Sequence, residues 1–188
     1  MDINCYLDSL RKSENVIPDA FYKSIFGQSS IVTTIPPNTH LQLYGNADKM
    51  ITKKDGTVIY VEEKVREKDY GDFLIEILSN VELKTPGWIE KDNCVSEYLI
   101  YFIKPTKIAY VMKFKDIQSE WRKHKSLWTL LFPTKTTLTQ TEYGNIYHVK
   151  NIAIPFYAIS SPIMKIQSYE KIKRNQTFTH RPMETRTN

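Results

Sequence analysis

Cysteine is almost missing from this chain: Cys5 and Cys94 are the only two in 188 residues, and neither stands in a metal-ligand spacing. That argues against a disulfide framework or a thiolate metal centre, and it sets the expectation of an intracellular, cytoplasmic protein. Glycine is sparse too, with 6 residues, and no Gly-rich loop of the P-loop or dinucleotide type appears. A Gly-x-Ser-x-Gly nucleophile elbow is equally absent. His40, His124, His148 and His180 are scattered without paired spacing, which argues against a histidine-held metal. Long apolar runs are lacking: Tyr98 to Ile103 and Ile152 to Tyr157 are strand-length, far below the roughly 20 residues of a membrane span, so no membrane partner is expected. Met1 to Cys5 shows no basic segment leading into an apolar core, so no secretory leader is expected either.

What is present suits one domain with a real core. The chain is 41% hydrophobic and 12% aromatic, with a formal charge of +5. Residues 1–162 read as a single domain and 163–188 as a basic tail, with Lys165, Lys171, Lys173, Arg174, Arg181 and Arg186 against Glu170 and Glu184. Helical spacing is expected over Ile3–Lys12 and again from about Asn15 to Phe26, where Pro18 suits a first turn and Gly27 a stop. Extended segments are expected from His40 through Tyr44, in a hairpin ending at Lys64, over Gly71–Leu78, and in a second hairpin of Tyr98–Ile103 with Lys107–Phe114. A helix from Asp116 to about Leu131 then stops at Pro133. Thr134–Thr141 reads as an exposed loop and Gly144–Ile159 as extended chain. The fold class is α/β, with a central mixed sheet flanked by helices.

One stretch concentrates acidic residues on strand-like sequence. Lys53-Lys54-Asp55-Gly56 lies between apolar runs, and Asp-Gly in that setting signals a hairpin turn. The turn brings Asp48 back beside Glu62, and the two-residue strand period puts Glu62 and Lys64 on one face, about 6 to 7 Å apart, with Glu63 on the other. Two carboxylates and an ammonium gathered there would bind a divalent metal, or they form an exposed ion-pair ladder on a sheet. Glu82-Leu83-Lys84, with Asp72 upstream, is a poorer rival because Thr85-Pro86-Gly87 ends any strand at once.

Asp48, Glu62-Glu63-Lys64 and the order of elements around them resemble the PD-(D/E)XK nuclease superfamily, the restriction-endonuclease-like fold, and in particular uncharacterised phage and mobile-element members. The resemblance covers Glu14 to Lys115, and Ala47 stands where the superfamily pattern has proline. It implies that Asp48, Glu62 and the backbone carbonyl of Glu63 hold Mg²⁺, which Mn²⁺ could replace, and that Lys64 serves the attacking water and the scissile phosphate. Asp19 or Glu14, Glu76 and Gln42 are accessory candidates. Asp19 or Glu14 would otherwise be helix-dipole acids, Glu76 a partner of Lys64 or Arg66, and Gln42 a surface residue. Lys49, Lys53, Lys54, Arg66 and Trp88 are candidates for nucleic-acid contact, with Arg122, Lys123, Lys125 and the tail as further basic segments. The expectation is a DNA endonuclease of a bacterial, archaeal or phage-infected cell, with a second copy of the chain as a candidate partner. Its rivals are a nucleic-acid-binding protein that keeps the fold without cleaving, and a protein-binding structural subunit or inhibitor.

Overall fold

A computed structural model describes residues 16–37, 39–140, 144 and 146–167. The helix expected over Ile3–Lys12, Glu14, and the tail basic residues from Lys171 onward lie outside the described residues. The fold is mixed α/β, with few helices and a mixed sheet. In chain order the elements are α1 (Asp19–Phe26), β1 (Ile31–Thr34), α2 (His40–Leu43), β2 (Lys49–Thr52), β3 (Val58–Arg66), β4 (Asp72–Asn80), β5 (Thr85–Pro86), β6 (Tyr98–Ile103), β7 (Ile108–Lys113), α3 (Phe114–Leu131), β8 (Thr134–Gln140), β9 (Ile146–Pro155) and β10 (Ile163–Gln167).

These strands make two sheets. One runs β1-β2-β3-β6-β7-β10, the other β5-β4-β9-β8. Among the described residues only β3 and β6 pair in parallel, Glu62 opposite Leu99 and Lys64 opposite Tyr101, while the other neighbours are antiparallel. Strand alternation gives the first sheet two different faces. Ile59, Val61, Ile100, Ala109 and Val111 pack under Ile17, Phe21 and Tyr22 of the α1 region. Leu99, Tyr101, Ile103 and Met112 face the second core, with Phe73, Ile75, Ile152 and Ile154 of the other sheet and Phe114, Ile117 and Trp121 of α3. The two sheets are also joined by a hydrogen bond: the Leu74 N–H donates to the Tyr101 hydroxyl at 3.0 Å.

Four expectations are corrected. His40–Leu43 is a short helix, not a strand, because the Thr39 side chain caps it by accepting the Gln42 N–H. Gly71–Leu78 does form a strand, with Phe73, Ile75 and Ile77 inward, but it leaves β3 and joins β9 in the second sheet. Thr134–Gln140 is a strand paired with β9 and not a loop; its threonines are β-branched, which suits a pleated surface however polar. Ile163–Gln167 forms the outer strand beside β7, so the ordered fold continues past residue 162.

Candidate active site

Asp48 lies just before β2, where the ladder to β3 runs out. Its N–H donates to the Val61 carbonyl at 2.9 Å and its carbonyl accepts the Ile35 N–H at 2.9 Å. Its side chain then takes over from the missing strand: Oδ2 accepts the Glu63 N–H at 2.8 Å. The N–H and C=O of a strand residue point to the same edge, so the Glu63 carbonyl is directed to the edge where Asp48 sits. Glu62 and Lys64 project from β3 toward the inter-sheet core, and Lys64 Nζ meets Glu62 Oε1 at 2.5 Å. The Glu62 side chain is 5% exposed and that of Lys64 34%, so the acid is covered while the lysine is partly exposed.

Burial pushes the Glu62 carboxyl up to about 8, with the negative charge of Asp48 reinforcing the rise and Lys64 opposing it. Burial works against the Lys64 ammonium, yet Glu62, Asp48 and Glu76 outweigh it and hold the group above its ordinary range. Glu63 turns to the opposite face, where burial pushes it up to about 8 and its Oε1 has no hydrogen-bond partner.

A second layer of residues braces this end of β3. Trp88 is 4% exposed, packs against Phe73 and Phe114, and puts its ring 5.7 Å from Lys64 Nζ. The chain can reach this position because residue 87 is glycine: a Cβ there would lie 2.1 Å from the Glu76 carbonyl oxygen. Asn46, 3% exposed and in the left-handed region at φ 52°, ties two loops together. Its Nδ2 donates to the Trp88 carbonyl at 2.7 Å, its Oδ1 accepts from Lys91 Nζ at 2.9 Å, and its carbonyl accepts the Ser96 hydroxyl. Lys91 also donates to the Leu43 carbonyl at 2.6 Å. Gln118 of α3 secures the same loop through the Ile89 and Lys91 carbonyls at 3.0 and 2.7 Å. Neither Asn46 nor Lys91 was singled out from the sequence. An asparagine just before Ala47-Asp48, able to adopt positive φ, was the available signal for the first; Lys91 had none.

Of the sequence candidates, Asp48, Glu62 and Lys64 come together, and Glu76 on β4 lies within electrostatic reach of Lys64. Asp19 does not join them, because α1 covers the other face of the sheet. Gln42 is part of α2 and donates its N–H to Thr39. Three proposed nucleic-acid contacts are corrected. Lys49 is 2% exposed and donates to the Thr34 hydroxyl at 2.8 Å. Arg66 is paired with Asp72 at 3.0 Å and lies over the Tyr70 ring. Trp88 is a core residue rather than a base-stacking one. Arg122 and Lys125 are paired with Asp92 and Glu90. Lys53 and Lys54 remain outward, lining a crevice of about 300 Å³ with Gln28, Ser29 and Ser30.

The donors fit a hard divalent cation. The Asp48 and Glu62 carboxyls lie within hydrogen-bonding reach of each other, and the Glu63 carbonyl is directed to the edge where Asp48 sits. Among the described residues no group of three histidine, cysteine or carboxylate side chains gathers around a metal-sized space. A cation here would have two carboxylates and a backbone oxygen to bind, and would keep water on its other positions as Mg²⁺ commonly does. Among the described residues, no helix is long and apolar enough to cross a membrane. No protein-family model matches the chain, and comparison with curated proteins and with solved structures found no similar protein.

Proposed function

We propose that this chain is a Mg²⁺-dependent nuclease that hydrolyses DNA phosphodiester bonds as an endonuclease, on a restriction-endonuclease-like core. The observation that carries the reading is the bond from the Glu63 N–H to Asp48 Oδ2, which locks an acid from one segment against the strand bearing Glu62 and Lys64. Asp48, Glu62 and the Glu63 carbonyl would hold Mg²⁺, which would supply Lewis acidity toward a phosphoryl oxygen. Lys64 keeps its proton because Glu62, Asp48 and Glu76 surround it with negative charge. It acts as a hydrogen-bond donor that orients the attacking water and offsets charge growing on the phosphoryl oxygens, not as a base. Water adds to phosphorus, the bond to one sugar oxygen breaks, and the products are a phosphate monoester and a sugar hydroxyl. The turn lysines, Lys53 and Lys54, stand about 17 Å or more along the hairpin from Glu62, since Lys53 pairs with Thr57, about five nucleotide steps of B-DNA, and would hold phosphates that flank the cut.

One observation favours a second reading. Lys64 and Glu62 already satisfy each other at 2.5 Å, as they would in a protein that binds nucleic acid on this fold without cutting it. Plasmid incubated with Mg²⁺ or Mn²⁺ separates the two. Nicking that disappears in Asp48→Ala and in Lys64→Ala supports the nuclease. Binding without nicking, indifferent to metal, supports the rival, and nicking that survives both substitutions removes this site assignment.

A further inference from the structure

Lys91 differs electrostatically from the other lysine at this site. Lys64 spends its charge on Glu62 at 2.5 Å. Lys91 Nζ donates only to neutral oxygens, the Leu43 carbonyl at 2.6 Å and Asn46 Oδ1 at 2.9 Å. An ammonium has three donors, so one N–H is left over, on a cation that no carboxylate contacts among the described residues. Its side chain is half-buried and braced from behind, since Gln118 fixes its backbone carbonyl to α3. Glu62, Lys64 and Glu76 all act on it electrostatically, which places it beside the same cluster. A partly desolvated, immobilised cation with an unspent donor is poised for an anion, because the ordering entropy of a free lysine has already been met by the fold.

We propose that Lys91 is a substrate-binding residue, whose free N–H takes a phosphate oxygen of the nucleic-acid strand next to the bond being cut. This rests on the nuclease reading but concerns binding alone. Lys91 would hold the strand while Lys64 serves the reacting phosphate, so the two lysines would have separable effects.

The test is the salt dependence of duplex DNA binding, read by fluorescence anisotropy with EDTA present so that nothing is cut. Lys91→Gln is the informative variant, since it removes the charge while keeping a polar N–H donor on that side of the loop. Each lost phosphate contact lowers the slope of log K against log salt by about 0.9. The expected result is that loss in Lys91→Gln and a slope unchanged in Lys91→Arg. A merely structural lysine would weaken binding at every salt concentration with no change of slope. An unchanged slope in Lys91→Gln, or an equal loss in Lys91→Arg, overturns the inference. If the native protein still nicks plasmid in that case, only Lys91 is misassigned; if it neither binds nor nicks DNA, the nuclease reading falls as well.

Discussion

Asn46 is the residue on which the geometry of the site turns, and its substitution gives a quantitative test. Asn46→Ala removes two hydrogen bonds, the buried one to the Trp88 carbonyl and the part-buried one from Lys91. Each is worth about 1 kcal/mol net, and the Trp88 carbonyl loses this donor in a buried setting. Alanine must also hold φ at 52°, which asparagine tolerates better; a left-handed residue with a Cβ costs about 1 kcal/mol. The sum is about 3 kcal/mol, which for a domain of this size lowers Tm by about 6 to 12 °C. Asn46→Gly loses the same bonds but accepts positive φ, so it should cost about 1 kcal/mol less than alanine. Urea unfolding of the three proteins measures both differences. The hydrogen-bond account is wrong if either substitution costs under about 1 kcal/mol, and the backbone account is wrong if glycine and alanine agree within error. Both variants should also lose nicking activity while folded, because Trp88 no longer fixes the floor beneath Lys64.

Gly87→Ala should destabilise by about 3 kcal/mol or more, since the new Cβ meets backbone rather than a movable side chain; a melting curve like that of the native protein would refute the close approach. Burial works to raise Glu120, but hydrogen bonds from Ser161 and Ser160 outweigh it and leave the carboxyl below its ordinary value. Its contribution is therefore present above the ordinary value of 4.5 and is lost as pH falls through the lowered one. The stability gap between native protein and Glu120→Gln should be full at neutral pH and shrink on acidification, and a gap constant with pH would sink this assignment. Cys94 is pushed by burial from 9.0 to about 11. In a Cys5→Ser background, alkylation at pH 8 should then run about 100-fold slower than that of a free thiol, and reaction at the free-thiol rate would contradict it.

Local signals were legible where neighbours in sequence are neighbours in space. The Asp55-Gly56 turn, the alternation that sends Glu62 and Lys64 one way and Glu63 the other, and the helix ending at Phe26 all follow from short-range periodicity. What stayed hidden depends on distant partners. Phe73, Ile75 and Ile77 read correctly as one strand face, but nothing local could say that the strand abandons β3 for β9 across a long connection. Lys49 and Arg66 looked like phosphate contacts because charge is visible in sequence and burial is not; Thr34 and Asp72 had already claimed them. Trp88 was misjudged for the same reason, its loop being drawn inward by the glycine before it.

The charge balance of the site gives the proposed reaction its order. Asp48, Glu62 and Glu76 are three formal negative charges set against Lys64 and Lys91. One negative charge is left in a region that excludes much of its water, and the high position of Glu62, about 8, is where that excess appears. A divalent cation held there would reverse the formal balance and leave one positive charge, the complement of a single phosphodiester. On the proposed reading the cation and the DNA strand would assist each other: without the cation Glu62, at about 8, keeps a proton and the site has no net charge to draw a phosphate, and the cation alone would leave a buried positive charge uncompensated. On that reading, two ligand carboxylates suit the site for a physical reason. A third ligand acid would hold the metal more tightly, but it would cancel the charge that recruits the phosphate.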